Sequence, residues 1–412
     1  MKKTIALVLG GGAPNLTLMA GAVAALDDAG VKFDVVSTSG AGMLIGLLYA
    51  APKGRTGDIK RDRAAALKNT VNMGVHDAIY RFFPVNFKVF HKPGTLAQAY
   101  TKFWQIAADN RKAIEGPAGD FRDQWLKMLS ASPLFAPWAE AWKQFLGKFS
   151  SPDNKSGDAQ RFFDDWAALM LATFCPTDLS AASQGMCQPA PFVEQAVDFS
   201  KLKEFEGDFY MSAYCIESGK MEIFEKKDIT IEQFQAALAF PLIYAPFKMN
   251  GKTYLEGAAK DTLNFKGLLE KRRRKRHPVI DTIVVLDVLG MKELIAEPRG
   301  LYDAWVKSII VPLTAIAEDD IKLFEQLHLE NKVNLKKYFR GKKPKLVKID
   351  FQKQISHNNW PNVLDWSYSN LSALYEAGYR AGSAAAKKVR PAKRSTKARK
   401  GQRPASSSGS TR

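Results

Sequence analysis

The pattern of apolar and polar positions predicts a strand, a glycine loop and a helix at the start of the chain. Thr4 to Leu9 is a short run of β-branched and aliphatic residues that ends at three consecutive glycines. Leu16 to Ala29 is rich in Ala, Leu and Met and closes at Gly30, as expected of a helix followed by a C-terminal stop. A buried strand therefore leads through a flexible loop into a helix.

The next segment repeats this order. Phe33 to Val36 is a second apolar run, Ser37 to Gly40 forms a tight turn, and Ala41 to Ala50 is an apolar helix that Pro52 stops. Strands that alternate with helices favour a mainly parallel sheet with helices on both faces. We therefore predict an α/β fold.

The rest of the chain divides into three predicted parts. Residues 53–201 have helical spacing and are predicted to form an insertion, after which a hairpin and the strand 280–288 complete a domain over residues 4–290. Residues 291–386 are predicted to be a C-terminal helical extension that packs on this domain. Residues 387–412 consist of Lys, Arg, Ser, Pro and Gly with few apolar residues and are predicted to be a disordered basic tail.

Composition excludes several classes of protein. An apolar fraction of 46% over 412 residues is that of a globular chain with a large core. Cys175, Cys187 and Cys215 lack the spacing of a zinc site or a redox pair, so we expect reduced thiols, no metal and no cofactor. The apolar run after Lys2 and Lys3 is too short for a secretory signal, and no apolar stretch is long enough to span a bilayer. We expect a cytoplasmic protein that binds membranes peripherally.

Positive charge is concentrated in two segments. The net charge is +18, of which ten positive charges lie in the acid-free residues 387–412, leaving +8 for the rest of the chain. Lys271 to Arg276 adds the run KRRRKR. Such runs are often only solvated, but an anionic lipid surface would attract them, and nucleic acid would do so by the same Coulombic term. Because the tail lacks aromatic residues that could stack on bases, we predict an anionic membrane surface, and not nucleic acid, as the binding partner of these basic segments.

The segment VVSTSGAGMLIG, residues 35–46, contains the candidate nucleophile. Ser39 lies between small residues at a sharp strand-to-helix turn, which predicts a hydroxyl exposed above the sheet at a helix N-terminus. The pattern departs from G-x-S-x-G because Ser37 and Ala41 replace its two glycines. A structural alternative is that the serines and the threonine of this turn only cap the helix.

The glycine loop provides candidate anion-binding amides. Gly10, Gly11 and Gly12 follow the first strand and precede a helix, so their N–H groups are unobstructed donors for the oxyanion of an acyl-transfer intermediate. A dinucleotide loop would need glycine at Asn15, and the only acid of the second strand, Asp34, lies near its start rather than its end. A purely structural turn remains the other interpretation.

Three segments in this order, LVLGGGA, VVSTSGAG and FPLIYAPFKMNGKTYLEGA, resemble the patatin family of lipid acyl hydrolases over roughly residues 4 to 290. The resemblance implies a three-layer α/β fold and a Ser–acid dyad that works without histidine, metal or cofactor on phospholipids or other lipid esters. Position by position it makes Ser39 the nucleophile, Glu256 the acid, and Gly10, Gly11 and Gly12 the oxyanion loop.

This chain departs from the family pattern at defined positions. Pro14 and Asn15 stand where the family has a basic residue, the serine turn lacks both flanking glycines, and the acid is Glu rather than Asp. Asp261 is an alternative acid if the turn is shifted. The structural alternative for Glu256 is a surface hairpin carboxylate. An α/β-hydrolase triad would use His277 or His357 on chain order alone. A catalytically impaired protein that binds lipid is the second functional hypothesis.

Overall fold

The computed structural model describes residues 3–12, 15–54, 56–84, 86–88, 156–174, 193–241, 244–269, 278–288, 297, 301–355 and 365–389. Its centre is one sheet of eight strands with the order β5-β6-β3-β2-β1-β7-β8, in which β4 also pairs with β3. The strands are β1 (Thr4–Leu9), β2 (Val35–Thr38), β3 (Asp208–Cys215), β4 (Lys220–Glu225), β5 (Phe247–Met249), β6 (Lys252–Glu256), β7 (Ile280–Leu286) and β8 (Lys345–Lys348).

Parallel pairing dominates the middle of the sheet. The pairs β1–β2, β1–β7, β2–β3 and β7–β8 are parallel, whereas β4 and β6 run antiparallel to β3, and β5 runs antiparallel to β6. The predicted hairpin corresponds to β3 and β4. Strand β8, from the C-terminal part of the chain, pairs with β7 and lies at an edge of the same sheet.

Helices cover both faces. They are α1 (Leu16–Asp28), α2 (Gly42–Ala50), α3 (Ile59–Asn69), α4 (Asp77–Phe82), α5 (Ser156–Phe174), α6 (Val193–Ala196), α7 (Ile231–Leu238), α8 (Phe265–Leu269), α9 (Leu301–Phe324), α10 (Lys332–Phe339) and α11 (Tyr368–Val389). In the C-terminal part, a π-helical segment at Glu325–Glu330 and an extended residue, Asn331, separate α9 from α10. None of the described helices combines the length and apolar composition that a bilayer crossing needs.

The side chains of β1 alternate between two cores. Ile5, Leu7 and Leu9 pack into a cluster with α1, α2 and α11, whereas Ala6 and Val8 pack into a second cluster with α8, α9 and α10. Alternation is expected because successive residues of a strand point to opposite faces of a sheet. A sheet with a helical layer on each face confirms the predicted three-layer α/β fold.

The C-terminal helix α11 packs closely against α1. A Cβ atom added to Gly378 or Gly382 would collide with the main-chain carbonyls of Leu18 or Ala22, and one added to Gly21 would collide with Tyr375. Glycine at these positions lets the two helix backbones approach each other. The predicted insertion is described only in part: its described segments include α3, α4, α5 and α6, while residues 89–155 and 175–192 lie outside the described residues.

Candidate active site

The turn between β2 and α2 places Ser39 beside the glycine loop. Thr38 pairs with Leu9 in the parallel β1–β2 ladder, and the Ser39 amide donates to the Leu9 carbonyl at 3.0 Å. Because both strands are parallel, their carboxyl ends reach the same edge of the sheet. Gly10 and Ser39, the next residue of each chain segment, are therefore adjacent at that edge.

The two glycines that this turn requires are Gly40 and Gly42. Gly40 has a φ of +53°, a left-handed conformation that favours glycine. A Cβ atom on Gly42, the first residue of α2, would collide with the carbonyl oxygen of Gly10. The turn therefore has glycines one and three residues after Ser39 instead of two residues before and two after it, as in G-x-S-x-G, and it remains sterically possible.

Ser37, one of the departures from the pattern, is accommodated by a specific partner. Its buried hydroxyl donates to the main-chain oxygen of Asn264 at 2.7 Å. A Cβ atom on Gly267, at the third position of α8, would lie 2.5 Å from this hydroxyl oxygen. The serine therefore fits because residue 267 has no side chain.

Glu256 reaches the same edge of the sheet from β6. Strand β3 lies between β2 and β6. Thr38 of β2 is opposite Met211 of β3, and Glu256 of β6 is opposite Ala213, two residues further along β3. Ser39 and Glu256 therefore flank β3 at nearly the same position along its length. The Glu256 Oε1 atom lies 2.5 Å from the position that a Cβ atom would occupy on Gly40. The glycine loop, the serine turn and the acid therefore converge.

The Glu256 carboxyl group is buried in an environment that favours its neutral form. The residue is 8% exposed, so it is not a surface hairpin carboxylate. Burial alone raises its pKa to about 8. No hydrogen bond links this carboxyl group to the part of the chain that the structure describes. The group is thus poised to accept a proton at slightly alkaline pH.

The Ser39 hydroxyl differs from its prediction in one respect, because it is fully buried rather than exposed above the sheet. It donates at 2.7 Å to the main-chain oxygen of Asp261, which belongs to the segment that follows Glu256 and folds over the turn. The Asp261 carboxylate is directed elsewhere: Oδ1 accepts from the Asn264 amide at 3.0 Å, and Oδ2 lies 3.4 Å from Lys266 Nζ. Asp261 therefore meets Ser39 through its carbonyl and not through its acid group.

The three glycines of the loop are not equivalent. The Gly10 amide donates to the Leu286 carbonyl at 3.1 Å, so it continues the β1–β7 ladder and is not available to an oxyanion. Gly12 has a φ of +117°. Within the described residues, the amides of Gly11, Gly12 and Gly40 donate to no partner. Gly40 was not predicted as a donor, although the residue after a turn nucleophile commonly supplies one.

A family model for patatin-like phospholipases matches residues 7–269, which is more than half of the 412-residue chain. The chain belongs to the patatin-like phospholipase family. This family implies a lipid acyl hydrolase, and the three motifs with which the sequence resembles it are the segments that the structure brings together.

Comparisons with individual proteins add little to the family assignment. The chain of this patatin-like protein matches the crystal structure of VipD from Legionella pneumophila at 12% identity and a TM-score of 0.33, covering 94% of this chain and 67% of VipD. A similarity at that level carries no functional argument. No match was found among the curated proteins.

Several residues named from the sequence lie outside the described residues of this patatin-like protein. They include Pro14, the histidines His277 and His357, the basic run Lys271 to Arg276, and the tail from residue 390 onward. Among the residues described, no group of three or more His, Cys, Asp or Glu is arranged to hold a metal ion.

Proposed function

We propose that this patatin-like protein is a lipid acyl hydrolase in which Ser39 attacks a fatty acyl ester and Glu256 acts as general base and then general acid. The observation that carries the proposal is the position of Glu256 Oε1 against Gly40, immediately beside Ser39, with the pKa of the carboxyl group raised by burial. A carboxylate with a pKa near the working pH is an effective proton acceptor. Phospholipid or another lipid ester is the proposed substrate.

The reaction requires the Ser39 hydroxyl to change its hydrogen-bond partner. In the structure the hydroxyl donates to the Asp261 carbonyl, which cannot accept a proton for catalysis. Rotation of the hydroxyl toward Glu256 would let the carboxylate take the proton as Ser39 Oγ bonds to the acyl carbon. The protonated Glu256 would then give that proton to the leaving alcohol, and water would release the fatty acid from the acyl-enzyme by the reverse exchange.

The oxyanion of the tetrahedral intermediate would be bound by the amides of Gly11, Gly12 and Gly40. These amides surround the turn and donate to no partner among the described residues. Removing one oxyanion donor typically lowers the rate about 10²- to 10³-fold. We favour an oxyanion over a nucleotide phosphate as the anion bound here, because Asn15 stands where a dinucleotide loop would need glycine.

Active-site labelling with a fluorophosphonate probe tests this proposal. The wild-type protein should label on the peptide that contains Ser39, and Ser39→Ala should not label. Ser212→Ala is the matched control, because Ser212 is, like Ser39, a fully buried serine, but it lies on β3 beside Gly257 and its hydroxyl has no hydrogen-bond partner among the described residues. Labelling that persists in Ser39→Ala, or that disappears in Ser212→Ala alone, would contradict the assignment.

The second candidate is a catalytically impaired protein that binds lipid through the same fold. Two observations favour it: Ser39 is fully buried, and its hydroxyl is bonded to a carbonyl instead of a carboxylate. Such a protein would bind lipid vesicles but would neither label with the probe nor release fatty acid from any vesicle tested. Probe labelling and fatty-acid release, measured alongside vesicle binding, therefore distinguish the two candidate functions.

Membrane association is proposed through the basic tail and Lys271 to Arg276. The tail contributes ten positive charges without an acid, and each basic residue near an anionic surface contributes about 1 kcal/mol. The full chain should sediment with phosphatidylserine-containing vesicles, and a chain truncated after Val389, the last residue of α11, should bind them more weakly because it lacks eight of the ten positive charges. Equal binding by the two chains would exclude this role for the tail.

A further inference from the structure

Asp320, on the C-terminal helix α9, is bound to the segment that holds the candidate nucleophile. A single carboxylate oxygen, Oδ2, accepts two hydrogen bonds from Thr262, one from its amide at 2.9 Å and one from its hydroxyl at 2.8 Å. Thr262 is buried and directly follows Asp261, whose carbonyl accepts the Ser39 hydroxyl. Two bonds thus connect α9 to the immediate neighbour of the Ser39 acceptor.

The segment 261–264 is bonded to the serine turn at three points. Besides the Ser39 bond to Asp261, the Ser37 hydroxyl donates to the Asn264 carbonyl, and the Asn264 side-chain amide donates to the Thr38 carbonyl at 3.0 Å. Asn264 itself has a φ of +40°, an uncommon conformation for a residue other than glycine. A displacement of this segment would therefore move the serine turn with it.

We propose that Asp320 is a positioning residue for Ser39: it fixes Thr262 and thereby the segment 261–264, whose bonds to Ser37 and Thr38 hold the serine turn in place. The inference rests on the proposed function and extends it, because α9 lies beyond residue 269, where the match to the family model ends. Part of the active-site support in this protein is thus supplied by its C-terminal region.

The surroundings of Asp320 disfavour the ionised form of its carboxyl group, and the hydrogen bonds from Thr262 partly compensate for this. The pKa of Asp320 is raised to about 6: burial and, to a smaller extent, the nearby Asp261 raise it, and the hydrogen bonds from Thr262 and from the Leu263 amide oppose this shift. Lys266 Nζ lies 3.4 Å from Asp261 Oδ2 and pairs with that second carboxylate. A partly buried carboxylate beside a second carboxylate contributes little to stability by itself. What the Asp320 carboxylate does achieve is to fix the position of Thr262.

A second contact anchors α9 independently of this charge. Phe324, one helical turn after Asp320, stacks on Phe265 with ring centroids 4.2 Å apart and an interplanar angle of 14°. Both rings are buried in the core cluster on this face of the sheet. The helix should therefore stay docked when the Asp320 carboxylate is removed, so variants at this position are expected to fold.

The test compares Asp320→Ala, Asp320→Asn and Asp319→Ala by hydrolysis of p-nitrophenyl butyrate and by the rate of fluorophosphonate labelling. Asp320→Ala should lower kcat and the labelling rate about 10- to 100-fold with KM changed less than about 2-fold, because a small misplacement of a reacting group costs that much. Asp320→Asn should retain most of the activity, since one amide oxygen can accept both Thr262 bonds. Asp319, which is 67% exposed on the same helix, provides the control.

Thr262→Val supplies an independent variant, because it removes one of the two donors and keeps the shape of the side chain. Its loss in kcat should be smaller than that of Asp320→Ala, and the double variant should lose no more than Asp320→Ala alone. A wild-type protein without labelling or turnover would refute the proposed function and this inference with it. An active wild type whose kcat is unchanged in Asp320→Ala, or equally low in Asp320→Asn and Asp320→Ala, would refute the inference alone.

Discussion

Glu256 Oε1 lies 2.5 Å from the point that a Cβ atom would occupy on Gly40. The Glu256 carboxyl group can therefore occupy its position only because residue 40 has no side chain. The same residue also needs its left-handed backbone, with a φ of +53°. Gly40 thus meets two requirements that come from different parts of the chain, the sharp turn after β2 and the acid at the end of β6.

Gly40→Ala should lower fluorophosphonate labelling by at least about 100-fold, because the added methyl group would collide with the Glu256 carboxyl group, with Ala258 Cβ and with Gly11 Cα. Gly57→Ala is the matched control: Gly57 also has a positive φ, +75°, but a Cβ atom there would meet nothing within 4 Å. Both variants incur the backbone cost of about 1–2 kcal/mol, which thermal unfolding would measure. Equal labelling by the two variants would contradict the geometric argument.

The rate of labelling should rise with pH through a midpoint near 8. The ionised form of Glu256 is the base, and burial raises the pKa of this carboxyl group to about 8. Below that value the ionised fraction falls about tenfold for each pH unit, so the rate at pH 6 should be about 100-fold below the alkaline plateau. The second-order rate constant of labelling between pH 5 and 9.5 measures this. A profile already flat above pH 6 would show that a buried Glu256 is not the base.

Glu256→Gln should inactivate the protein and stabilise it. The pKa of Glu256 is raised in the folded protein, from 4.5 to about 8, so between these values the native state holds a proton that the unfolded state has lost. The free energy of unfolding therefore falls as pH rises through this window, by about 1.4 kcal/mol for each fully affected pH unit. Glutamine has no such cost, so the variant should melt at a higher temperature than wild type at pH 8 and at a similar temperature at pH 4.5.

Glu330→Gln is the control for that measurement, because Glu330 is an exposed carboxylate at the end of the π-helical segment. Its melting temperature should follow wild type over the same pH range. A stability gain in Glu256→Gln that does not depend on pH would assign the effect to packing instead of desolvation.

Small residues made the centre of this site predictable from the sequence. A run of glycines after one strand and a serine among small residues after the next are local signals, since each reflects a turn that excludes side chains. Parallel strands then bring such turns to one edge, which is how Gly11 and Ser39 become neighbours. Glu256 was identified by its resemblance to a family motif rather than by any local pattern.

The partners of Ser39 could not be predicted because they leave no local pattern. The hydroxyl is bonded to a main-chain carbonyl, and every residue type carries one, so Asp261 was considered only for its acid group. Asp320 lies in a helix that showed nothing beyond helical spacing. Gly10 was included among the oxyanion donors because the sequence does not reveal that the β1–β7 ladder extends one residue beyond β1.

Ser37 and Gly267 should behave as a coupled pair. Gly267→Ala would place a methyl group 2.5 Å from the Ser37 hydroxyl oxygen, and it would also approach Tyr210 Cβ to 3.0 Å. Overpacking of this kind typically costs about 1–3 kcal/mol, which exceeds the gain of up to about 1 kcal/mol from replacing a helical glycine. Gly267→Ala should therefore lower the melting temperature and the labelling rate.

Ser37→Ala alone should cost about 1 kcal/mol, because the Asn264 carbonyl loses the Ser37 hydroxyl and keeps only the Gly267 amide, at 3.2 Å, as a donor among the described residues. Combined with Gly267→Ala it should cost less than the sum of the two single changes, since the hydroxyl that meets the new methyl group is gone. Thermal unfolding of the four proteins gives the coupling free energy directly. If the two changes were strictly additive, the space at Gly267 would not be what allows a serine at position 37. The turn would then tolerate Ser37 in place of the pattern's glycine for another reason.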